Sequence, residues 1–262
     1  MVERRSRNGI ALAYDEQGVG DPPLVLIHGW CCDHGYFTPQ ADHFSHRHHV
    51  VSVDLRGHGA SDAPRGPYSM RSLADDVAWL AGELWLRRPV LVGHSLGGLV
   101  ALNVAAHHPG LPAALVLLDS PLLPPEGLLP DLPGTLAELR GAGYRDFQRS
   151  FVEGQLFLAS DDPARRGRIV EGMSAAPQHV MASCFEEMFA FDHELTAAAC
   201  RVPLLYVAAE TLLSDLGRLR AACPGVVIGQ TVGVGHFHQL EAPDQVNPMI
   251  ERFLATRLHG KA

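Results

Sequence analysis

The chain has 262 residues, 47% of them hydrophobic and 19% charged, which favours one large α/β domain with room for an insertion. The formal net charge of −8 and the lack of a long basic run argue against nucleic acid as the main partner. No apolar run of about 18 residues occurs, so no membrane span is expected.

The N-terminus is charged and no apolar segment follows it, so the sequence predicts no signal peptide. The five cysteines form no CxxC pair, and an odd, scattered count favours a reduced, cytoplasmic protein. Several histidines cluster within residues 43–49. No cysteine or carboxylate ligand set accompanies them, so we expect surface histidines and no metal site.

Strand and helix patterns alternate in the first part of the chain. Asn8-Gly9 favours a tight turn between two antiparallel strands within residues 1–20. Further on, strand runs alternate with helical patterns, one of which begins with a Ser72 cap. The predicted strands are 24–27, 49–54, 90–93 and 115–119, and the predicted helices are 36–44, 72–84 and 96–108. This alternation predicts a mostly parallel sheet covered on both faces.

The alternation stops between residues 121 and 200, where no strong strand pattern occurs. Helical patterns with apolar faces take its place, at 135–143, 144–159, 165–175 and 179–189. These faces either pack against each other and the sheet or line a substrate pocket as a lid, with Phe147, Phe151 and Met188 as candidate pocket residues. Strand patterns resume at 203–208 and 226–228, and an amphipathic helix is predicted over 245–258.

The stretch Gly93-His94-Ser95-Leu96-Gly97 places a serine between a predicted strand and a predicted helix. Gly93 and Gly97 lack a Cβ atom, so strand and helix can pack closely around a sharp turn. Ser95 is expected at the tip of the turn, in a strained conformation with its hydroxyl exposed. The alternative is an ordinary glycine-rich turn, which the partners described next disfavour.

A serine hydroxyl needs a base within hydrogen-bond reach, and the base needs an orienting carboxylate. His236 is the favoured base because it lies between glycines, in a loop between the last predicted strand and the last helix. In a parallel sheet such a loop lies at the same end as Ser95. His238 is the rival, two residues away.

These motifs together resemble the α/β-hydrolase family. The matching parts, in the family's order, are His28-Gly29, residues 54–61, Gly93 to Gly98, and Gly235-His236-Phe237 before Glu241-Ala242-Pro243. The resemblance implies a mostly parallel, eight-stranded sheet flanked by helices, with a helical cap inserted after strand six. The core would span 1–120 and 201–262, and the cap 121–200.

The resemblance also implies an oxyanion hole formed by the backbone N–H groups of Leu96 and Trp30. Such donors stabilise a tetrahedral oxyanion. The Trp30 indole is expected either to form a pocket wall or simply to pack. His28 and His94 are expected to hydrogen-bond around the turn that carries Ser95, and they are also candidate pocket residues.

The acid is where the sequence departs from the family pattern. The usual aspartate position after strand seven is Leu212 here. Three carboxylates are candidates: Asp119 at the end of strand six, Glu210 and Asp215. Asp119 is favoured because the end of a rigid strand can hold an acid accurately. Asp119 could instead hydrogen-bond local backbone at the hinge of the cap, and a missing acid also stays open.

The sequence therefore predicts a cofactor-free serine hydrolase with Ser95, His236 and Asp119 as its triad, acting on a hydrophobic carboxylic ester or lactone. A C–C bond hydrolase and a perhydrolase or haloperoxidase-like enzyme would use the same residues. A ligand-binding receptor on this fold is the alternative that is not an enzyme. A serine nucleophile disfavours dehalogenase and epoxide-hydrolase chemistry. A homodimer is left open.

Overall fold

The computed structural model describes residues 2–128 and 131–258. Residues 1 and 259–262 of the predicted core, and 129–130 of the predicted cap, lie outside the described residues. Within the described part, one sheet has the strand order β1-β2-β4-β3-β5-β6-β7-β8. Its strands are β1 (Glu3–Arg7), β2 (Ile10–Gln17), β3 (Leu24–Ile27), β4 (Val50–Val53), β5 (Val90–His94), β6 (Ala114–Leu118), β7 (Leu204–Ala208) and β8 (Val227–Gln230).

The predicted hairpin forms one edge of this sheet. Asn8 and Gly9 join β1 to β2 with φ angles of 50° and 80°, the left-handed conformation that a two-residue hairpin turn requires. β2 also pairs antiparallel with β4, and every pair from β4 to β8 is parallel. The parallel strands therefore end at the same edge of the sheet, where loops can bring distant residues together.

Helices cover both faces of the sheet. They are α1 (Thr38–Phe44), α2 (Met70–Glu83), α3 (Leu96–His107), α4 (Leu132–Arg140), α5 (Tyr144–Gln155), α6 (Pro163–Ser174), α7 (Gln178–Ala190), α8 (His193–Ala199), α9 (Leu216–Ala222), α10 (His238–Glu241) and α11 (Pro243–Arg257). α2 and α3 share one apolar cluster with the sheet, and α1 and α11 share the other. Among the described residues, no helix is long and apolar enough to cross a membrane.

The segment between β6 and β7 carries α4 to α8, the helical insertion that the sequence predicts after strand six. Leu139, Val152, Met173 and Phe185 from four of these helices are buried in the same cluster as α2 and α3. The insertion is therefore packed onto the core and shares its apolar interior. The seven-residue α8 was not predicted.

The start of α2 is one correction to the sequence prediction. Ser69, not Ser72, caps the helix, and its hydroxyl oxygen accepts a hydrogen bond from the Ser72 N–H group at 3.1 Å. The earlier start brings Met70 into the apolar face, where it is buried. The other predicted helices and strands differ from the observed ones by a few residues at their ends.

Candidate active site

Ser95 occupies the sharp turn between β5 and α3. Its φ and ψ angles of 53° and −121° are strained for a residue with a side chain, at a typical cost of about 1–3 kcal/mol. The glycines make this turn sterically feasible. A Cβ atom at Gly93 would clash with the Gly97 carbonyl, and one at Gly97 would clash with the Ile27 carbonyl of β3. Close packing of strand, turn and helix therefore holds Ser95 at the edge of the sheet.

The His236 ring is hydrogen-bonded to Asp119. Asp119 directly follows β6, and its Oδ2 accepts a hydrogen bond from His236 Nδ1 at 2.7 Å. Its Oδ1 accepts a second one from the Ala209 N–H group at 3.1 Å. A carboxylate oxygen accepts hydrogen bonds, so Nδ1 is the ring nitrogen that donates to Asp119, and Nε2 takes no part in this contact. Ser95 and His236 line the same cavity.

The other two candidate acids have different partners. Glu210 accepts a hydrogen bond from the Gly233 N–H group at 2.8 Å. Asp215 caps α9 by accepting from the N–H groups of Gly217 and Arg218. Of the three carboxylates, the structure brings only Asp119 into hydrogen-bond contact with His236 among the described residues.

His238, the rival base, is fully buried. Its Nδ1 lies 3.1 Å from the Thr231 hydroxyl oxygen. Burial lowers the pKa of His238 to about 4, and the neighbouring His236 adds to this effect while Asp119 opposes it. His238 is not among the described residues that line the cavity.

His94 and His28 brace the loops around Ser95. His94 Nε2–H donates to the His236 carbonyl at 2.9 Å. Burial, with a contribution from His236, holds the pKa of His94 well below its ordinary value, so the ring is neutral. His28 accepts from the Leu55 N–H group at 3.0 Å through Nε2 and donates to the Gly29 carbonyl at 2.8 Å through Nδ1. His94 also lines the cavity, whereas His28 does not.

The Gly29-Trp30 loop lies directly beside the serine. A Cβ atom at Gly29 would come within 3.2 Å of the Ser95 Cβ atom. In the described part of the chain, neither the Trp30 nor the Leu96 backbone N–H group donates to a protein acceptor. Leu96 lies in the first turn of α3, where backbone N–H groups have no partner within the helix and are available to a ligand. The two amides predicted to hold an oxyanion are thus both near Ser95 and unpaired.

The Trp30 side chain both packs and forms a wall. Its indole N–H group donates to the Met181 carbonyl at 2.9 Å, and its ring lies 5.2 Å from the Phe185 ring, centroid to centroid. Trp30 also lines the cavity. The indole therefore links the loop after β3 to α7 of the insertion.

The cavity above Ser95 has a volume of about 400 Å³. Phe151 and Met188 line it as predicted, but Phe147 does not; its ring stacks on Phe151 with the ring centroids 6.1 Å apart. The remaining walls come mostly from the insertion and include Thr135, Gln155, Leu156, Met173, Phe185 and Phe189. Sequence reasoning did not single out Thr135 or Gln155, since neither lies in a motif. No arginine or lysine is among the described lining residues.

Histidine, cysteine and carboxylate side chains, which have metal-ligating chemistry, also occur among the described residues. Within residues 2–128 and 131–258, no group of three or more histidine, cysteine or carboxylate side chains is arranged to hold a metal ion. Cys32 lines the cavity, but burial raises its pKa well above the ordinary value, so it is a neutral thiol.

Comparison with known proteins identifies the family. A family model described as the alpha/beta hydrolase fold matches residues 22–243. The chain therefore belongs to the α/β-hydrolase family. It is 37% identical over 130 residues to 2-(acetamidomethylene)succinate hydrolase of Mesorhizobium japonicum, over 49% of this chain and 46% of that protein. The chain thus spans a little under half the length of the curated relatives that it matches first.

Solved structures match over nearly the full length. The enol-lactonase of Burkholderia xenovorans LB400 superposes with a TM-score of 0.86 over 96% of this chain and 99% of that one, at 24% identity. Est816, described as an N-acyl homoserine lactone degrading enzyme, has a TM-score of 0.82 at 28% identity, over 96% of this chain and all of its own. The first likeness shows the fold alone.

Proposed function

We propose that the chain is a serine hydrolase that cleaves a carboxylic ester or a lactone through an acyl-enzyme. Ser95 is the nucleophile, His236 the general base and Asp119 the orienting acid. The observation that carries the proposal is the buried Asp119–His236 hydrogen bond, in the same cavity as a serine on a strained turn. A nucleophile, a base and an orienter in this arrangement are the requirements of acyl transfer.

In the first half of the reaction, the Ser95 oxygen attacks the substrate carbonyl carbon while His236 Nε2 takes the hydroxyl proton. Asp119 stabilises the imidazolium that forms. The carbonyl oxygen becomes an oxyanion and accepts hydrogen bonds from the N–H groups of Leu96 and Trp30. When the tetrahedral intermediate collapses, the carbon–oxygen bond to the leaving group breaks, and His236 gives its proton to the departing alkoxide.

In the second half, water replaces the leaving alcohol. His236 Nε2 takes a proton from the water as its oxygen attacks the acyl carbon, and the same two N–H groups hold the second oxyanion. The bond to the Ser95 oxygen then breaks, and His236 returns the proton to Ser95. The products are a carboxylic acid and the regenerated enzyme. With a lactone, acid and alcohol stay on one molecule.

The cavity supports a neutral, hydrophobic substrate. Its walls are mostly aromatic and aliphatic, and the described lining residues include no cation to pair with a substrate carboxylate. The name of the Mesorhizobium relative places a succinate in its substrate, and Est816 is described as degrading a lactone. For this chain we favour the second kind of substrate, an uncharged ester or lactone with an apolar acyl group.

The test compares the wild-type protein with Ser95→Ala, using p-nitrophenyl butyrate and a medium-chain lactone as substrates. Ser6→Ala, in the exposed strand β1, is the matched control. We expect wild type and Ser6→Ala to turn over equally, and Ser95→Ala to lose at least about 10⁴-fold in kcat. A fluorophosphonate probe should label wild type at Ser95. Equal turnover by Ser95→Ala, or labelling at another residue, would overturn the proposal.

Further assays on the same purified protein distinguish the proposed hydrolase from the three alternative functions. Cleavage of a diketone without ester turnover would favour a C–C hydrolase, and peroxide-dependent halogenation would favour a haloperoxidase-like enzyme. Tight binding of the lactone without turnover by any variant would favour a receptor.

A further inference from the structure

A buried carboxylate in the insertion, Asp161, contacts the loop that carries His236. Asp161 lies between α5 and α6 and is 4% exposed. One carboxylate oxygen accepts a hydrogen bond from the Leu158 N–H group at 2.8 Å, within the insertion. The other accepts from the Gly235 N–H group at 3.0 Å. Asp161 thus links the insertion to the residue directly before His236.

Neighbouring residues of the insertion hold the same loop. We call residues 156–161 the clasp and residues 233–237 the histidine loop. The Leu156 carbonyl of the clasp accepts the N–H group of His236 itself at 3.1 Å. The Ser160 hydroxyl donates to the Gly233 carbonyl at 3.1 Å. Three hydrogen bonds therefore join two segments that are far apart in the chain.

Steric fit reinforces these bonds. A Cβ atom at residue 235 would clash with the Asp161 carboxylate and lie 3.0 Å from the Leu156 carbonyl oxygen. Gly235 does not have a positive φ angle, so its need for a glycine comes from the clasp and not from backbone conformation. The glycine before the histidine therefore allows the insertion to approach the main chain directly.

The core and the clasp hold different parts of His236. From the core, Asp119 binds the ring and His94 binds the carbonyl. The N–H groups of His236 and Gly235 have their partners in the clasp. A base must lie within hydrogen-bond reach of the nucleophile, and a 1 Å misplacement can cost about 10²-fold in rate. The main chain must be fixed as accurately as the ring.

We propose that Asp161 is a positioning residue that fixes the main chain of the histidine loop, so that the insertion is part of the catalytic scaffold as well as the wall of the cavity. This inference rests on the proposed function of His236. It predicts that removing the Asp161 carboxylate impairs the chemical step without changing the walls that bind the substrate.

The experiment compares Asp161→Ala and Asp161→Asn with Asp162→Ala. Asp162 is the exposed neighbour, whose carboxylate caps α6 by accepting from the Arg165 N–H group at 2.6 Å. Its carboxylate makes no hydrogen bond to the histidine loop among the described residues. Asp162→Ala therefore perturbs the same part of the insertion while leaving the contact with Gly235 in place.

We expect Asp161→Ala to lower kcat for p-nitrophenyl butyrate by about 10²-fold, with KM within about twofold of wild type. Asp161→Asn keeps one acceptor oxygen, so its kcat should be about tenfold higher than that of Asp161→Ala. The Nδ1 proton of His236, observed at low field by proton NMR, should broaden or shift in Asp161→Ala. Asp162→Ala should lower the melting temperature and leave kcat and this resonance unchanged.

The proposal is overturned if folded Asp161→Ala or Asp161→Asn keeps the wild-type kcat and the wild-type Nδ1 resonance, because Asp161 would then only anchor the insertion. If Asp161→Ala does not fold, the Asn variant decides by the same two measurements. The NMR measurement needs no substrate. It therefore reports on Asp161 even if wild type hydrolyses no ester, whereas the Ser95 experiments above test the proposed function separately.

Discussion

Ser95 and His236 lie in the same cavity, but they are positioned by opposite means. The serine is held by its own neighbours in sequence, because the glycines around it let β5 and α3 close onto β3. The histidine lies in a loop after β8 and is held by residues at the ends of β5 and β6 and in the insertion. Local geometry therefore positions the proposed nucleophile, whereas tertiary contacts position the proposed base.

This difference predicts which kind of substitution damages the surroundings of Ser95 and which kind damages those of His236. On the serine side the contacts are steric and made by backbone atoms, so added volume should damage folding. On the histidine side they include hydrogen bonds to single side chains, those of Asp119, His94 and Asp161. Removing one acceptor there should damage activity more than stability, since the surrounding core stays packed.

The largest expected effect is that of Asp119→Asn on kcat. An asparagine amide can donate to His236 Nδ1, which favours the wrong tautomer and leaves no base facing the serine. For this change we expect a loss of about 10⁴-fold in ester turnover with the fold retained. Steady-state kinetics with p-nitrophenyl butyrate, together with circular dichroism, measure both quantities.

Glu210→Gln is the matched control, because it also changes a carboxylate that follows a parallel strand of the sheet. Its oxygen can still accept from the Gly233 N–H group. Activity should stay within about tenfold of wild type. The reverse result, with Glu210→Gln inactive and Asp119→Asn active, would assign the acid role to Glu210.

Second in size is the effect of Gly97→Ala on stability. The new methyl group would meet the carbonyls of Ile27 and His28, which are backbone atoms and cannot rotate away. The free energy of unfolding should fall by about 3 kcal/mol or more. Chemical denaturation measures the change.

Gly82→Ala provides the contrast for this measurement. Gly82 is an exposed residue of α2, and a Cβ atom there would have nothing within 4 Å. Alanine is the better helix former, so this variant should be up to about 1 kcal/mol more stable. If both alanine variants changed stability equally, the serine turn would not depend on close packing.

The same contrast explains what the sequence could predict. Ser95 and the flanking glycines form a contiguous motif, and His236 lies between recognisable neighbours, so local sequence alone singles out both as candidates. The choice of Asp119 stayed open, because Glu210 and Asp215 follow the next strand and only the folded structure distinguishes their partners. The contact between Asp161 and Gly235 was not predicted, because the two residues are 74 positions apart and no sequence pattern connects them.

The sheet was easier to predict than the insertion. Buried strands such as β5 and β6 are continuous apolar runs, which sequence reveals directly. The helix α8 has only seven residues, with too little periodicity to detect. Phe147 and Phe151 lie on the same helix and look alike in sequence, yet only Phe151 reaches the cavity. Which face of a helix meets an empty space depends on tertiary packing.

A third prediction concerns the insertion's other contribution, the walls of the cavity. We expect p-nitrophenyl hexanoate to have a kcat/KM about 10²-fold higher than mono-p-nitrophenyl adipate, which carries a carboxylate at the far end of the same chain. Burying the adipate carboxylate without a partner costs several kcal/mol. Because the adipate avoids part of this cost by binding more weakly, the expected difference in kcat/KM is smaller than the full cost. Comparing the two kcat/KM values measures the discrimination.

Asp131→Asn sharpens this measurement. Asp131 is an exposed residue at the cavity wall, and asparagine can replace it as the cap of α4. The variant should raise kcat/KM for the adipate by up to about threefold at low salt, and leave the hexanoate unchanged. Equal kcat/KM for both esters in wild type would show that the cavity does not select against negative charge.

The smallest expected effect is on the pH dependence of stability. His238 directly follows the histidine loop, and its folded pKa of about 4 lies below the value of about 6.5 expected in the unfolded chain. Between these two values the unfolded state binds more protons, so the free energy of unfolding falls as the pH falls. His238 should contribute a slope of up to about 1.4 kcal/mol per pH unit in this range.

His238→Asn, which can still hydrogen-bond to Thr231, should have a shallower slope than both wild type and His46→Gln at an exposed position. Denaturant unfolding at pH 6.5, 5.5 and 4.5 gives the slope for each of the three proteins. An unchanged slope in His238→Asn would mean that the buried His238 ring takes up its proton without unfolding.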